Sequence, residues 1–368
     1  MSTDAAATDT SAPATNAWRV HGQEHAVAAL RRAITGDQLG HAYLLVGPEG
    51  VGKATLARRF AQTLACEARE ERTGDLAATP CLECRTCRAI EAGESPDVER
   101  IAIGGVCDES SHDHASDNST RIRICQVRRL HRVSALAPFA APRRVFVVDG
   151  ANDLQTEAGH ALLKTLEEPA RGVVLVMLAT DLEDLLPSIR SRCQELTLRP
   201  MPRPALVEAL TAAGADPVEA ERIAPLARGR YGAATNMLAD PSRQVLREAV
   251  DEDARRLARA TRNERLDYAG QLAQRWFRER ESVVATIDMW AEWWRTLLLA
   301  VTDVEPAPEL AEEVAACDAA GAARGLAAVR RAREHLLQNT NPQLAIEVMM
   351  LDLPRLQESQ TRAAATPA

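Results

Sequence analysis

Apolar and polar positions fall into two regimes along this chain. Up to about residue 200, short continuous apolar runs alternate with amphipathic stretches. "HAYLLVG" (41–47), "RRVFVVDGAND" (143–153) and "GVVLVMLATD" (172–181) read as buried strands, and "DVERIAI" (97–103) as a further one. Between them, "GQEHAVAALRRAI" sets Val27, Leu30 and Ile34 on one side of a helix. "KATLARRFAQTLAC", "ICQVRRLHRVSAL" and "LQTEAGHALLKTLEEP", the last stopped by Pro169, have helical spacing too. Such alternation predicts a three-layer α/β domain with a largely parallel sheet over residues 18–200. At "LRPMPRP" the pattern turns almost wholly helical. A small helical domain is expected over 201–241 and a longer helical domain over 242–356. The ends, 1–17 and 357–368, are rich in small residues, and loose, disordered tails are expected there.

Composition narrows this picture. The chain has 368 residues and is 46% hydrophobic, enough for two or three cored domains. A net charge of −8 argues against one large basic face for nucleic acid. With no apolar run of roughly 18 residues and no basic-apolar leader, a cytoplasmic protein without membrane contact is expected. The cysteines are mostly clustered, which in an intracellular chain points to metal rather than disulfides.

Three stretches carry candidate chemistry. In "LLVGPEGVGKATLARRF" a strand runs into Gly47, Gly50, Gly52 and Lys53 and then a helix, the pattern of a phosphate-binding P-loop. The next position, where a hydroxyl would hold Mg²⁺, is Ala54; Thr55 is one place too far along, about 100° around the helix. Asp149 ends a strand as a metal-binding carboxylate should, but Gly150 follows it. The second stretch, residues 66–90, brings Cys66 together with Cys81, Cys84 and Cys87 at two-residue gaps, a ligand set for one structural Zn²⁺. Alternatives are buried free thiols, or completion of the site by Cys107, His112 or His114 from an acidic segment, 104–120, expected to be a flexible loop. Cys125, Cys193 and Cys317 read as isolated buried thiols. Third, "LPSIRSRCQELTL" holds Ser191, Arg192 and Cys193 just before a strand. An arginine in such a charged stretch is ordinarily solvated or salt-bridged. Glu167 and Glu168 end a helix against its dipole, which suggests a structural or interface role. Trp290, Trp293 and Trp294 share a helix face suited to a core or subunit contact.

"HALLKTLEEP", "LPSIRSRCQELTL", the cysteine module and "LQNTNPQLAIEVMMLDLP" together resemble the bacterial DNA polymerase III clamp-loader family of AAA+ proteins, over about residues 18–355. The resemblance implies an AAA+ domain with a small zinc module, a helical lid and a helical collar that assembles a ring. Within the family the chain is similar to delta-prime subunits, which sit beside the gamma and tau motors and the delta subunit. AAA+ motors carry Glu where this chain has Gly150, and an Arg that senses the γ-phosphate at the position aligned here with Gly232, near Arg230. The family's zinc module has the same cysteine order, usually with a shorter first gap. Its Ser-Arg-Cys triplet lies at a subunit boundary and implies that Arg192 reaches ATP bound by a neighbour. The expectation is thus a subunit with no catalytic site of its own and ATP or ADP bound weakly or not at all. It would support loading of the sliding clamp on primed DNA. The rivals are an active gamma/tau-type ATPase and a zinc-dependent nucleic-acid-binding protein on an AAA+ scaffold.

Overall fold

The computed structural model describes residues 18–356 apart from 37, 70, 71, 73, 110, 111, 113, 115–119, 305 and 339. The two tails and part of the acidic segment therefore lie outside the described residues. The chain divides into two compact units between Leu238 and Ala239.

The first unit runs α1 (Glu24–Thr35), β1 (Ala42–Val46), α2 (Lys53–Ala65), α3 (Arg85–Ala92), β2 (Val98–Ile101) and α4 (Ile124–Ser134). It continues with β3 (Arg144–Asp149), α5 (Thr156–Glu167), β4 (Val173–Ala179), α6 (Pro187–Arg190) and β5 (Gln194–Thr197). Three further helices follow, α7 (Arg203–Ala212), α8 (Pro217–Ala227) and α9 (Tyr231–Ala239). The sheet order is β2-β3-β4-β1-β5, and every pairing is parallel. In the register, Leu44 of β1 lies opposite Met177 of β4 and Glu195 of β5.

Successive side chains of a strand point to opposite faces, so a central strand between two helical layers must be apolar throughout. β1 meets that requirement residue by residue. Tyr43 and Leu45 join Val145, Val147, Val174 and Val176 under α1 and α2. Ala42, Leu44 and Val46 join Phe146, Val148, Leu175 and Met177 under α4 and α5. One helix, α3, lies where only metal ligands were expected, and its Ile90 packs into the first of these cores. The helices α7–α9 have a small core of their own around Leu206, Leu210, Ile223 and Ala234.

The second unit comprises α10 (Pro241–Arg259), α11 (Arg262–Trp276), α12 (Arg280–Val301), α13 (Ala311–Ala316), α14 (Ala319–Leu337) and α15 (Pro342–Asp352). Trp290, Trp293 and Trp294 are fully buried in its core, so the tryptophan face of α12 stacks on no base. Arg265 of α11 is buried as well and donates to carbonyls at the ends of two other helices. Its partners are Leu257 O at 2.9 Å and Ala258 O at 3.1 Å on α10, then Met350 O at 3.2 Å, Leu353 O at 2.5 Å and Pro354 O at 2.9 Å around the end of α15. A guanidinium can serve both helix C-termini at once because its donors fan out in a fixed plane. Among the described residues no helix is long and apolar enough to cross a membrane.

One buried carboxylate sets how the sheet is entered. Asp97, just before β2, accepts the N–H groups of Phe139, Ala140 and Ala141 at 2.6, 2.7 and 2.8 Å. It also pairs with Arg144, the first residue of β3, at 3.3 Å. Burial opposes the charge, but those N–H donors and Arg144 outweigh it and hold the carboxyl below its ordinary value of 3.8. A folded-state value below the unfolded one stabilises the fold above that ordinary value, and the gain is lost as pH falls through the folded value. Asp97→Asn is expected to cost about 2–4 kcal/mol near neutral pH, since it unpairs a buried arginine. The loss should shrink in acid, where the wild-type carboxyl is itself protonated. Urea denaturation of both proteins at the two pH values checks this, and an equal loss at both would contradict it.

Candidate nucleotide loop and metal centre

The glycine loop is fixed by the strands on either side of β1. Gly47 donates its N–H to Ala179 O at the end of β4 at 3.1 Å, while Val46 O accepts the Leu198 N–H just past β5 at 2.7 Å. The backbone passes so close that a Cβ on Gly47 would sit 2.4 Å from Leu198 O. Gly50 has φ +77° and would place a Cβ 2.9 Å from that of Ala233 on α9. Its carbonyl accepts the Gly232 N–H at 2.9 Å. Lys53 opens α2 and folds its ammonium over the loop, donating to Gly47 O at 2.5 Å and Pro48 O at 3.0 Å. Backbone amides, a helix N-terminus and a lysine thus converge as phosphate binding requires.

The neighbours of this loop depart from the full metal-binding pattern. Ala54 is exposed and offers no hydroxyl, and Thr55 sits half-buried one position on. Asp149 is held by Arg100, with Nε at 2.9 Å and Nη2 at 2.6 Å from Oδ2. Gly150 turns with φ +95°, a conformation that an L side chain rarely adopts. The cation from α7–α9 that reaches the loop is Arg230. It is buried, donates through Nε to Ala227 O at 2.9 Å and lies 3.4 Å through Nη1 from Glu49 O. Gly232, the position aligned with the sensor arginine, meets the loop through its backbone alone, donating its N–H to Gly50 O. His21 stacks on Tyr231 at 4.1 Å between ring centroids, a second tie from α9 to the segment before α1.

Arg192 stands between α6 and β5. It donates to Ser188 O at 3.0 Å and to Ser191 Oγ at 3.2 Å, and pairs with Glu167 at 2.7 Å. Glu167, whose place at the end of α5 opposes the helix dipole, is thereby explained. Cys193 beside it has its thiol pushed up to about 12 by burial, so it is an inert packing residue.

Cys66, Cys81, Cys84 and Cys87 come together with all four sulfurs within 4.8 Å of one another. α2 ends at Cys66, and Cys84 caps the N-terminus of α3 by accepting the Cys87 N–H at 3.3 Å. The Cys84 N–H points at the Cys81 sulfur at 3.2 Å. Cys81 and Cys87 are 3.8 Å apart, close to the ~3.8 Å edge of a tetrahedron with metal–sulfur bonds of about 2.3 Å. Burial works against ionising Cys81, but the N–H groups of Cys84 and Glu83 and the adjoining thiols bring it to about 7. Burial and the Cys84 sulfur push Cys87 up instead. Glu91 of α3 pairs with Arg58 at 2.9 Å and with Arg59 of α2, bracing the cluster from behind. The cluster could hold a metal ion. Cys107, His112 and His114 do not complete it: they form a separate group with Cys125, whose sulfur lies 3.2 Å from His114 Nε2. Cys125 is therefore not an isolated thiol. Only a contact across ten intervening residues reveals this, and no local spacing signals it.

Residues 22–202 match a protein-family model described as DNA polymerase III, delta subunit. The DNA polymerase III subunit tau/gamma of Haemophilus influenzae is 34% identical over 180 residues, covering 49% of this chain and 23% of its own. Subunit tau of Escherichia coli is 35% identical over 180 residues, with 49% and 25% covered. Subunit gamma/tau of Mycobacterium tuberculosis is 33% identical over 193 residues, with 52% and 30% covered. Over these residues the chain is thus similar to a delta-type domain of DNA polymerase III and to tau and gamma subunits. The chain spans about a quarter of the length of the first two relatives. A solved gamma-subunit-related protein of Thermotoga maritima aligns over 89% of this chain and 99% of its own at 15% identity, with a TM-score of 0.35.

These relatives correct one expectation. They are tau and gamma subunits, the motor type, so this part of the chain is not to be read as lacking a catalytic site of its own. What the missing hydroxyl at 54 removes is one side chain, not the loop.

The loop geometry itself can be tested. Gly47→Ala should force the loop away from Leu198 or displace the chain after β5, at a cost of about 1–3 kcal/mol. Thermal unfolding together with binding of a fluorescent ATP analogue measures both effects. A variant as stable as wild type and binding equally well would refute the close approach.

Proposed function

We propose that this chain is a gamma/tau-like AAA+ subunit of the DNA polymerase III clamp loader. It would bind and turn over ATP at the 47–53 loop while the assembled complex loads the sliding clamp onto primed DNA. The observation that carries the reading is the loop itself: Gly47, Gly50 and Gly52 deliver Lys53 to a helix N-terminus inside a domain similar to the delta type, with Arg230 brought to the same loop from α7–α9. Lys53 would leave the loop carbonyls to bridge phosphate oxygens. Asp149 would serve the Mg²⁺ that accompanies the nucleotide, giving up Arg100. Ala54 supplies nothing to that ion and Gly150 no carboxylate to position the attacking water, so these two positions limit turnover.

Arg192 is assigned to a neighbour's nucleotide. It stands at an exposed corner, held only by groups of its own surface, and a planar fork of donors suits the charge that develops on a transferring phosphoryl group. Partners on this reading are motor and delta subunits, with clamp and primed DNA reached through the complex. The second unit, 239–356, would serve as the collar. Zn²⁺ at Cys66, Cys81, Cys84 and Cys87 would be structural, since four thiolates leave no open position.

Lys53→Ala should abolish ATP turnover by the chain reconstituted with its partner subunits, clamp and primed DNA, and Ala54→Thr should raise it. Turnover insensitive to Lys53→Ala, or nucleotide binding that is undetectable in the full complex, would refute the reading.

Arg192→Ala should leave folding and assembly intact but slow hydrolysis by the complex. A finger can be worth ~10³ or more at one site, less over a ring with several. Arg192→Lys should behave like Arg192→Ala. A purely structural arginine would give the reverse, lower stability with unchanged hydrolysis.

A further inference from the structure

The loop joining β2 to α4 contains few apolar side chains that could hold it down, yet its described residues converge on one point. Cys107 follows β2, His112 and His114 lie within the loop, and Cys125 belongs to the first turn of α4. Their sulfur and ring-nitrogen atoms all lie within 4.8 Å of one another. Cys125 Sγ is 3.2 Å from His114 Nε2, and Cys107 Sγ is 3.7 Å from His112 Nδ1. Bonds of about 2.3 Å to sulfur and about 2.0 Å to nitrogen give a tetrahedron whose S···N edges are about 3.5 Å. Both observed separations fall beside that value. The two imidazole rings stand 5.2 Å apart at 64°, which lets both aim a nitrogen inward without stacking.

The surroundings are those of a ligand set rather than of packing. His114 is 6% exposed and Cys125 5%, so two of the four donors are shut off from bulk water. His112 turns its other ring nitrogen to the Glu109 carboxylate at 3.2 Å, the outer contact that fixes the tautomer and orientation of a metal-bound imidazole. Asp108, beside Cys107, pairs with Arg129 at 2.7 Å and Arg132 at 2.6 Å on α4, so the loop is already drawn to the helix that carries the fourth donor.

We propose that Cys107, His112, His114 and Cys125 form a second metal site, a closed Cys₂His₂ centre for Zn²⁺ that is distinct from the Cys₄ cluster. Two thiolates and two imidazoles suit zinc and exclude the hard oxygen-seeking ions Mg²⁺ and Ca²⁺. With four protein donors the centre is structural. It pins the β2–α4 connection to α4, doing for a polar loop what a hydrophobic anchor does elsewhere. It goes beyond the proposed clamp-loader role, since neither nucleotide nor partner enters it.

Elemental analysis of the full chain, purified without chelators or a histidine tag, should find two zinc ions. Cys84→Ser and Cys107→Ser should each retain one, and the double variant none. His112→Ala removes a half-exposed donor with little disturbance of packing, and should also reduce the count by one. Cobalt substitution identifies which site remains: wild type should show the summed d–d bands of S₄ and S₂N₂ centres, and His112→Ala the S₄ bands alone. Loss of zinc in Cys107→Ser but not in Cys84→Ser would still support this centre while removing the Cys₄ one. One ion per chain, indifferent to Cys107→Ser and His112→Ala, would overturn the proposal. So would a Cys107–Cys125 disulfide found by mass mapping of protein kept under argon.

Discussion

The amide of Gly47 and the carbonyl of Val46 are each tied to a different neighbouring strand, and most of the first unit follows from that pair of bonds. They set where β1 stops, hence the direction in which the loop turns and the axis on which α2 begins. α2 then carries two chemistries at its ends, a lysine for phosphate at the N-terminus and a cysteine at the C-terminus, about 20 Å apart. The polarity of the helix treats the two differently. Its N-terminus favours the anion that Lys53 would meet, whereas its C-terminus disfavours a bare thiolate at Cys66. A metal ion, which Cys66 and the three further cysteines could hold, would resolve the second conflict.

Each unit also relies on one buried charge that collects backbone groups the regular ladders leave over. Asp97 gathers amide donors from the turn before β3, and Arg265 gathers carbonyl acceptors from two helix ends. The chemistry is mirrored: an acceptor-only side chain where donors are orphaned, a donor-only one where acceptors are. Both places are where chain segments distant in sequence meet, so a hydrophobic contact alone would fix their distance but not their orientation.

Much of the α/β part was legible because strands buried on two faces are spelled as unbroken apolar runs and their connecting helices as one-sided ones. Ala42–Val46, Arg144–Asp149 and Val173–Ala179 were read close to their true bounds for that reason. Strand order was not legible, since it depends on which edges meet and no residue in β1 distinguishes β4 from β5 as a neighbour. Helix α3 was hidden because its one cysteine, Cys87, and its cap, Cys84, belong to the cluster, and its only large buried apolar residue is Ile90. The glycine loop and the four clustered cysteines were visible as spacing. Arg230 was visible only as a cation near Gly232, because which residue of the turn between α8 and α9 reaches the loop is decided by how that turn docks, not by its distance along the chain. The pairing of His114 with Cys125 was missed for the same kind of reason, through a polar segment with no periodicity to carry the inference.

The hold on Arg192 has a consequence for how quickly it could be redeployed. Its pairing with Glu167 joins two side chains that are 37% and 50% exposed, and such surface pairs are worth about 0–1 kcal/mol. At ~0.5 kcal/mol the guanidinium would be docked on its own surface about twice as often as away from it, and rotamer exchange of exposed side chains takes only nanoseconds. The side chain is thus stored in a shallow well: confined enough to limit the conformations it must search, and loosely enough that its departure adds no slow step to whatever summons it.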